Sequence, residues 1–301
     1  MSSYSEFCLF CNSIECEYVL NEPLSSYTSF KIGGNAAVML FPDSTEKLSK
    51  AVEFINRKGL PLLVIGKGSN LLVSDKGFDG VVINTVKLNE LSLSDETTVI
   101  CQAGVSLAKL CKFALDNSLT GLEFAYGIPG TAGGAAYMNA GAYGGEMKDV
   151  LSECFHITPD GKLGSFKGKE LDLKYRHSVY SDSDLIIMSL VLKLQKGDKS
   201  EIKAKMDDLM GKRKDKQPLE YPSAGSTFKR PEGYFAGALI EQCGLKGSCI
   251  GGAQVSEKHA GFIINYDNAT TTDILELVKY CQDTVKEKFG VELETEIKAI
   301  D

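Results

Sequence analysis

Between Gly127 and Gly145, seven of nineteen positions are glycine. That density constrains the fold more than any other feature of the chain, because each glycine costs backbone entropy and adds no side chain to a core. A tract like this one serves where backbone must come very close to something else. It runs Gly127-Ile128-Pro129-Gly130-Thr131-Ala132-Gly133-Gly134 and later Gly141-Ala142-Tyr143-Gly144-Gly145. It offers amides, the Thr131 hydroxyl and the Asn139 carboxamide to a large ligand. Close packing of two domains through glycine fits it equally well.

A second glycine run, Gly66-Lys67-Gly68-Ser69-Asn70, follows Leu60-Pro61-Leu62-Leu63-Val64-Ile65, which reads as a buried strand. It is not a Walker loop, since Pro61 stands where the first glycine belongs and Gly68 takes the Ser/Thr position. Nor is it the Rossmann fingerprint, because Leu71 replaces the third glycine. What remains is either an ordinary turn after a strand or a run of amides able to bind phosphate oxygens. Two such loops in one chain favour a dinucleotide bridging both, and point to FAD held noncovalently.

The bulk numbers set limits around this reading. A chain of 301 residues is long enough for two or three domains. A net charge of -7 argues against a nucleic-acid partner, which selects for a basic face. No apolar run approaches the length of a membrane span, and Met1 to Ser13 lacks the basic-then-apolar pattern of a secretory signal. Nine cysteines without a signal peptide are expected to stay reduced in a cytoplasmic protein. Cys8, Cys11 and Cys16 have no second CxxC, and His156, His177 and His259 are distant in sequence. A closed zinc site needs four ligands, so no metal is expected. Residues 1–20 read as an apolar docking segment around Phe7, Leu9, Phe10 and Ile14, with redox sensing by the three thiols left open.

Local patterns sketch an α+β chain. Leu48, Val52 and Ile55 fall at helical spacing between Asp43-Ser44 and Gly59. Val81-Val82-Ile83 reads as a strand, and Leu107 to Leu115 as a helix ended by Gly121. Cys154–Ile157 and Leu163–Phe166 flank Asp160-Gly161 as a hairpin; Leu185 to Leu194 is a further strand. The charged segment Lys199 to Lys216 is helical in pattern and marks a domain boundary. Ile274, Leu277, Val278, Cys281 and Val285 line a helix that Thr271-Thr272-Asp273 opens and Gly290 ends. Val291 to Ile297 alternates as a terminal strand, with Glu292, Glu294 and Glu296 on one face.

One further loop, Tyr221-Pro222-Ser223-Ala224-Gly225-Ser226-Thr227-Phe228-Lys229-Arg230-Pro231, sets a hydroxyl and an ammonium three residues apart between two prolines. Proline continues neither a ladder nor a helix, so the path is irregular and fixed. Ala224 and Gly225 allow close approach to another surface.

At these residues the chain resembles the UDP-N-acetylenolpyruvoylglucosamine reductases, also called UDP-N-acetylmuramate dehydrogenases. The matching runs are Tyr27-Thr28-Ser29-Phe30-Lys31-Ile32-Gly33-Gly34, Gly66 to Leu72, Gly127 to Thr131, Tyr175-Arg176-His177-Ser178, Ala224 to Lys229 and Leu293-Glu294-Thr295-Glu296-Ile297. They occur in family order over about residues 20 to 301. The resemblance implies an FAD-binding domain of the vanillyl-alcohol-oxidase (PCMH) type with two α/β subdomains, at 21–90 and 91–198, and a C-terminal α+β substrate domain at 199–301. It implies NADPH as electron donor and UDP-N-acetylglucosamine enolpyruvate as substrate, reduced in peptidoglycan precursor synthesis.

The family's catalytic positions fall on Arg176, Ser226 and Glu296. Ser226 is the implied proton donor, while Arg176 and Glu296 hold the substrate carboxylate. Glu296 can help only when protonated, so its pKa is expected to rise on substrate binding. FAD is expected at Gly66, Lys67, Gly68, Ser69, Asn70, Gly127, Ile128, Pro129, Gly130, Thr131 and Gly133. Tyr175 is expected either to line the substrate pocket or to pack locally, and Lys229 to bind the diphosphate in preference to restoring the proton. The short spacing between Arg176 and Ser226 leaves no room for a long substrate-capping loop, which marks the family's shorter type. Arg230 stands where some members carry Asn. The competing readings are another flavin oxidoreductase of the same fold, or a nonenzymatic FAD- or nucleotide-binding module.

Overall fold

The computed structural model describes residues 3–301. The backbone gathers into two compact units. Unit 1 holds the N-terminal segment through Leu20, Ala37–Lys67 and Asp79–Gly211; unit 2 holds Asn21–Ala36, Gly68–Phe78 and Lys212–Asp301. A linear division leaves segments 21–36 and 68–78 with the first α/β part, but they cluster with the C-terminal residues. The cause is a parallel pairing of strand Lys298–Ile300 with Leu71–Val73.

In unit 1 the first described residues form helix α1 (Ser3–Ser13), laid on helix α2 (Thr45–Lys58). The Phe10 ring stacks on Phe54 at 4.5 Å and Phe7 lies 5.6 Å from the same ring. Phe7 and Cys11 are fully buried there, a burial that stabilises by about 1.5–3 kcal/mol for the Phe7 ring. Helix α2 ends as its sequence predicts. Gly59 is left-handed at φ 62°, its amide reaches Asn56 O, and the Leu60 amide reaches Ile55 O at 3.1 Å, the paired bonds of a Schellman stop. The underlying sheet has the order Glu17–Pro23, Asn35–Phe41, Phe78–Asn84, Leu62–Ile65, and its last two strands run parallel.

The second layer of unit 1 is an antiparallel sheet in the order Leu163–Lys167, Leu151–Ile157, Ile186–Lys193, Thr98–Gln102, Leu91–Leu93. The expected hairpin is present, with Ile157 opposite Leu163 and Gly161 at φ 79° in its turn. Helices α3 (Leu107–Asp116) and α4 (Ala132–Tyr137) share one apolar core with this sheet. Helix α3 stops earlier than its expected Gly121 end. Asn117 terminates it, its side chain donating to Phe113 O at 2.8 Å.

Helix α5 (Lys199–Lys216) matches the charged segment, and the unit boundary falls inside its last turns. Unit 2 adds helices α6 (Ala236–Gln242) and α7 (Thr271–Phe289) and a small antiparallel sheet of Cys249–Ile250, Ala253–Val255 and Ile263–Asn265. Helix α7 is capped by Thr270, one residue before the expected trio, in a reciprocal pair with Asp273; Gly290 closes it at φ 69°. Its buried face of Ile274, Leu277, Cys281 and Val285 shares a core with Phe30, Ile32 and Leu72.

The terminal strand differs from expectation. Residues 291–297 are extended but make one bridge only, Thr295 to Phe228, and the regular strand is Lys298–Ile300. The alternation holds only in part: Leu293 and Ile297 are buried while Glu292 and Glu294 face out, but Thr295, on the expected inner face, is exposed and Glu296 is half-buried. Among the described residues no helix is long and apolar enough to cross a membrane.

Candidate active site

In unit 2 the serine loop is fixed from both ends. The Asn265 amide donates to Pro222 O at 2.9 Å, and the Thr227 amide donates to Gly261 O at 2.9 Å. Thr227 has no exposed surface, and its Oγ1 accepts from the Ile263 amide at 2.9 Å. Gly225, at φ 79°, takes a conformation that an L residue adopts at a cost. Ser226 therefore sits, partly exposed, between a left-handed glycine and a buried, hydrogen-bonded threonine.

The C-terminal segment lies against this loop. The Glu296 amide donates to Thr227 O at 2.8 Å and the Lys229 amide donates to Glu294 O at 2.8 Å. Ser226 and Glu296 thus stand on neighbouring extended segments, one residue removed from a shared rung. Lys229 Nζ pairs with the exposed Glu294 carboxylate at 3.1 Å. Arg230 stacks over the Phe235 ring at 4.0 Å and donates from Nε to Tyr234 O at 3.4 Å. His259, unassigned from sequence, accepts the Gly261 amide on Nδ1 at 3.0 Å and so steadies the residue that holds Thr227. Burial depresses the pKa of this ring.

Arg176 and Tyr175 belong to unit 1. They form the corner of a tight turn in which the Lys174 and His177 backbones exchange hydrogen bonds, each at 3.1 Å. Arg176 has φ 54°, a left-handed conformation costing roughly 1–2 kcal/mol for a residue with a Cβ. Its guanidinium carbon lies 5.1 Å from the centroid of the Tyr175 ring. The turn is braced from behind: Asn139 Nδ2 donates to Lys174 O at 2.9 Å, and Asp172 takes both Lys174 Nζ, at 2.9 Å, and His177 Nε2, at 3.1 Å. Eight other non-glycine residues among those described also have positive φ, and such a conformation persists where the surrounding bonds over-determine it. Between Arg176 and Ser226 the chain is a short 3-10 turn, the strands Ile186–Lys193 and Gln195–Lys196, and α5, with no long inserted loop.

The glycine loops meet within unit 1. A Cβ on Gly66 would collide with the Thr131 hydroxyl, and one on Gly133 would collide with Ala103. Thr131 is buried and caps α4 by accepting the Gly134 amide. The loop before it is closed by bonds from Ile128 N to Ala125 O and from Leu107 N to Gly130 O, both 3.1 Å. Among the described residues the amides of Gly127 and Gly130 have no protein acceptor. A closely packed glycine backbone that still presents amides fits a phosphate-bearing cofactor. Gly68, just across the unit boundary, is equally pinned: its left-handed backbone leaves no room for a Cβ against Tyr27 O, and its carbonyl accepts the Ser29 amide at 3.1 Å. The run after Gly66 continues into a strand and not a helix, so no helix end contributes there.

Comparison with known proteins decides among the readings left open by sequence. Residues 36–166 match the FAD binding domain model, and residues 217–300 match the model of the UDP-N-acetylenolpyruvoylglucosamine reductase C-terminal domain. The reductase of that name from Syntrophomonas wolfei is 51% identical over 282 residues, covering 93% of this chain and 94% of the relative. The chain belongs to the UDP-N-acetylenolpyruvoylglucosamine reductase family.

Another member, from Listeria welshimeri, is 50% identical over 281 residues, with 93% of this chain and 94% of that one covered. The crystal structure of the UDP-N-acetylenolpyruvylglucosamine reductase from Thermus caldophilus superposes with a TM-score of 0.81 at 36% identity, over 95% of this chain and 99% of that one. The BBE-like 1 protein of Physcomitrella patens, at 14% identity and a TM-score of 0.51 over 63% of this chain and 44% of its own, shares the fold alone. The expected PCMH-type FAD-binding architecture with a C-terminal reductase domain is therefore present. This reductase is an FAD-dependent oxidoreductase of peptidoglycan precursor synthesis.

The family models divide the expected site residues. Gly66 to Asn70 and Gly127 to Gly133 lie inside the FAD binding match, Ser226, Lys229 and Glu296 inside the reductase match, and Tyr175 and Arg176 between the two. Sequence reasoning missed the second partner of Glu296. Asn70 Nδ2 donates to Glu296 O at 3.0 Å, a bond across more than two hundred residues that no local pattern encodes.

Proposed function

We propose that this chain reduces UDP-N-acetylglucosamine enolpyruvate to UDP-N-acetylmuramate with electrons from NADPH, in the cytoplasm, with FAD held by the 66–70 and 127–133 loops. In this reading residues 1–20 are a docking segment, 21–90 and 91–198 serve the cofactor, and 199–301 serve the substrate. The observation that carries it is the 2.8 Å bond from the Glu296 amide to Thr227 O, which sets a carboxyl-bearing residue beside the neighbour of the Ser226 hydroxyl.

Bound FAD supplies hydride transfer between the nicotinamide and the methylene carbon of the substrate's double bond. Negative charge then develops on the carbon beside the substrate carboxylate, and Ser226 donates a proton to that carbon. A serine hydroxyl is a weak acid, so donation is feasible because the acceptor is strongly basic. A carboxylate is a poor electron sink on its own. Arg176 offers it paired donors and a permanent positive charge, and the strained turn holds the guanidinium ready. Glu296 assists as a neutral acid, because a second anion would oppose the developing charge. Lys229 binds the diphosphate. Its surface pair with Glu294 contributes at most about 1 kcal/mol, so exchanging that partner costs little. Tyr175 lines the substrate pocket.

Stopped-flow absorbance tests the reading. NADPH should bleach the yellow protein, and UDP-N-acetylglucosamine enolpyruvate should restore the colour. Ser226→Ala should leave bleaching near the wild-type rate and slow recolouring by roughly 10²–10⁴-fold, the usual contribution of a positioned acid. Equal loss of both steps would contradict the assignment of Ser226. A yellow protein that NADPH does not bleach would contradict the choice of electron donor.

A further inference from the structure

The Glu296 peptide is gripped on both sides. Its N–H donates to Thr227 O at 2.8 Å, and its C=O accepts from Asn70 Nδ2 at 3.0 Å. Asn70 also accepts the Lys298 amide on its own backbone oxygen at 2.9 Å. The regular parallel ladder begins one residue later, with Lys298 opposite Leu71. The Asn70 side chain therefore adds a rung beyond the point where backbone pairing stops, and the added rung falls on Glu296. All of these residues lie in unit 2.

From this arrangement we propose that Asn70 is a positioning residue for Glu296: its carboxamide fixes the Glu296 carbonyl, and through it the place from which the Glu296 side chain acts. This rests on the reading of Glu296 as an acid that assists the second half-reaction. With both backbone groups tied, the point from which the Glu296 side chain springs is fixed, and a displacement near 1 Å at such a group costs on the order of 10²-fold in rate. The residue type follows from the geometry. Aspartate at this position would turn an acceptor toward an acceptor, serine would fall short of the carbonyl, and alanine would supply no donor. Asn70 thus supports the acid from within a run expected from sequence to hold cofactor.

The test compares Asn70→Ala, Asn70→Asp, Glu296→Gln and the double variant Asn70→Ala/Glu296→Gln in the FAD-loaded protein. It reads the FAD dissociation constant by fluorescence, the rate of bleaching by NADPH, and the pH profile of recolouring by substrate. In the FAD-loaded protein Asn70→Ala should slow recolouring by roughly 10–10²-fold more than it slows bleaching, and the double variant should be no slower than Glu296→Gln alone. Asn70→Asp, close in volume, should behave in the same way and serves if the alanine variant does not fold. Normal recolouring of the FAD-loaded Asn70→Ala protein, whatever its FAD affinity, would overturn the proposal. Additive losses in the double variant would overturn it as well, because a merely structural role does not act through Glu296. Normal recolouring in Glu296→Gln would instead remove the acid itself, and the proposal would fall with it.

Discussion

The Glu296 amide donates to the Thr227 carbonyl at 2.8 Å, while the Thr227 side chain accepts from Ile263 at 2.9 Å. One fully buried threonine thereby ties the serine loop to both the C-terminal segment and the small sheet. Thr227→Val keeps the shape and removes the acceptor, leaving the Ile263 amide without a partner. That loss should cost roughly 1–3 kcal/mol in urea unfolding monitored by circular dichroism, and it should slow recolouring by substrate more than bleaching by NADPH.

Arg176 supports a prediction in which stability and activity move in opposite directions. Arg176→Gly should relieve the left-handed strain at φ 54° and raise the unfolding free energy by up to about 1 kcal/mol, offset in part by the unfolded-state entropy of glycine. It should also abolish recolouring. Arg176→Lys keeps charge and strain but not the paired donors, so its stability should stay at wild type while recolouring drops steeply. A lysine variant of normal rate would mean that charge alone suffices.

Acid should destabilise the fold first through its buried histidines. His156 lies beside Tyr180 at 3.1 Å and under Phe166 at 4.7 Å, and burial lowers its pKa, as it does for His259. The unfolded chain takes up these protons near pH 6.5 while the folded chain does not. Stability should hold above pH 7 and decline as pH falls through the unfolded value, by at most about 1.4 kcal/mol per pH unit for each ring. His156→Phe should flatten that decline. Glu123 and Asp273, both held below the ordinary carboxylate range, add their share only nearer pH 4.

The thiols should report packing. Burial pushes Cys11 up to about 12 and Cys16 up to about 11, so neither is a thiolate near neutrality. Ellman's reagent should modify exposed Cys249 quickly and the partly covered Cys8 and Cys243 slowly. The other six of the nine cysteines should react only in guanidinium. Fast modification of Cys11 or Cys16 would revive the redox-sensing reading for the N-terminal segment.

Sequence carried the local features of this fold because their causes are local. Ser44 and Gly59 bound α2, Asp160-Gly161 turns a hairpin, and Gly290 ends α7, each through bonds spanning a few residues. The glycine tract was legible as close packing, and Gly66 against Thr131 is such a contact. Other features depend on partners far away in the chain. Nothing near Lys298 announces a parallel strand, since its mate is Leu71, and the unit that joins 21–36 and 68–78 to the C-terminus follows from that pairing. The strain at Arg176 was equally hidden, because a left-handed arginine is imposed by the bonds around it and not by its own preference. Pattern singled out the two glycine runs and the Ser226 loop, but the roles of Arg176, Ser226 and Glu296 came only by resemblance; pattern alone read Glu296 as one more acid on an alternating face.

The three-segment make-up of unit 2 bears on how the chain is born. Phe30, Ile32 and Leu72 emerge from the ribosome first, and the α7 residues that share their core, Leu277 and Val285 among them, and Ile297 follow only about two hundred residues after Leu72. At ordinary elongation rates that interval is on the order of tens of seconds. The nascent chain must carry these apolar side chains uncovered throughout it. Chaperone dependence during translation, and aggregation of chains truncated before α7, are the expected signs of a unit whose core is shared between segments made so far apart in time.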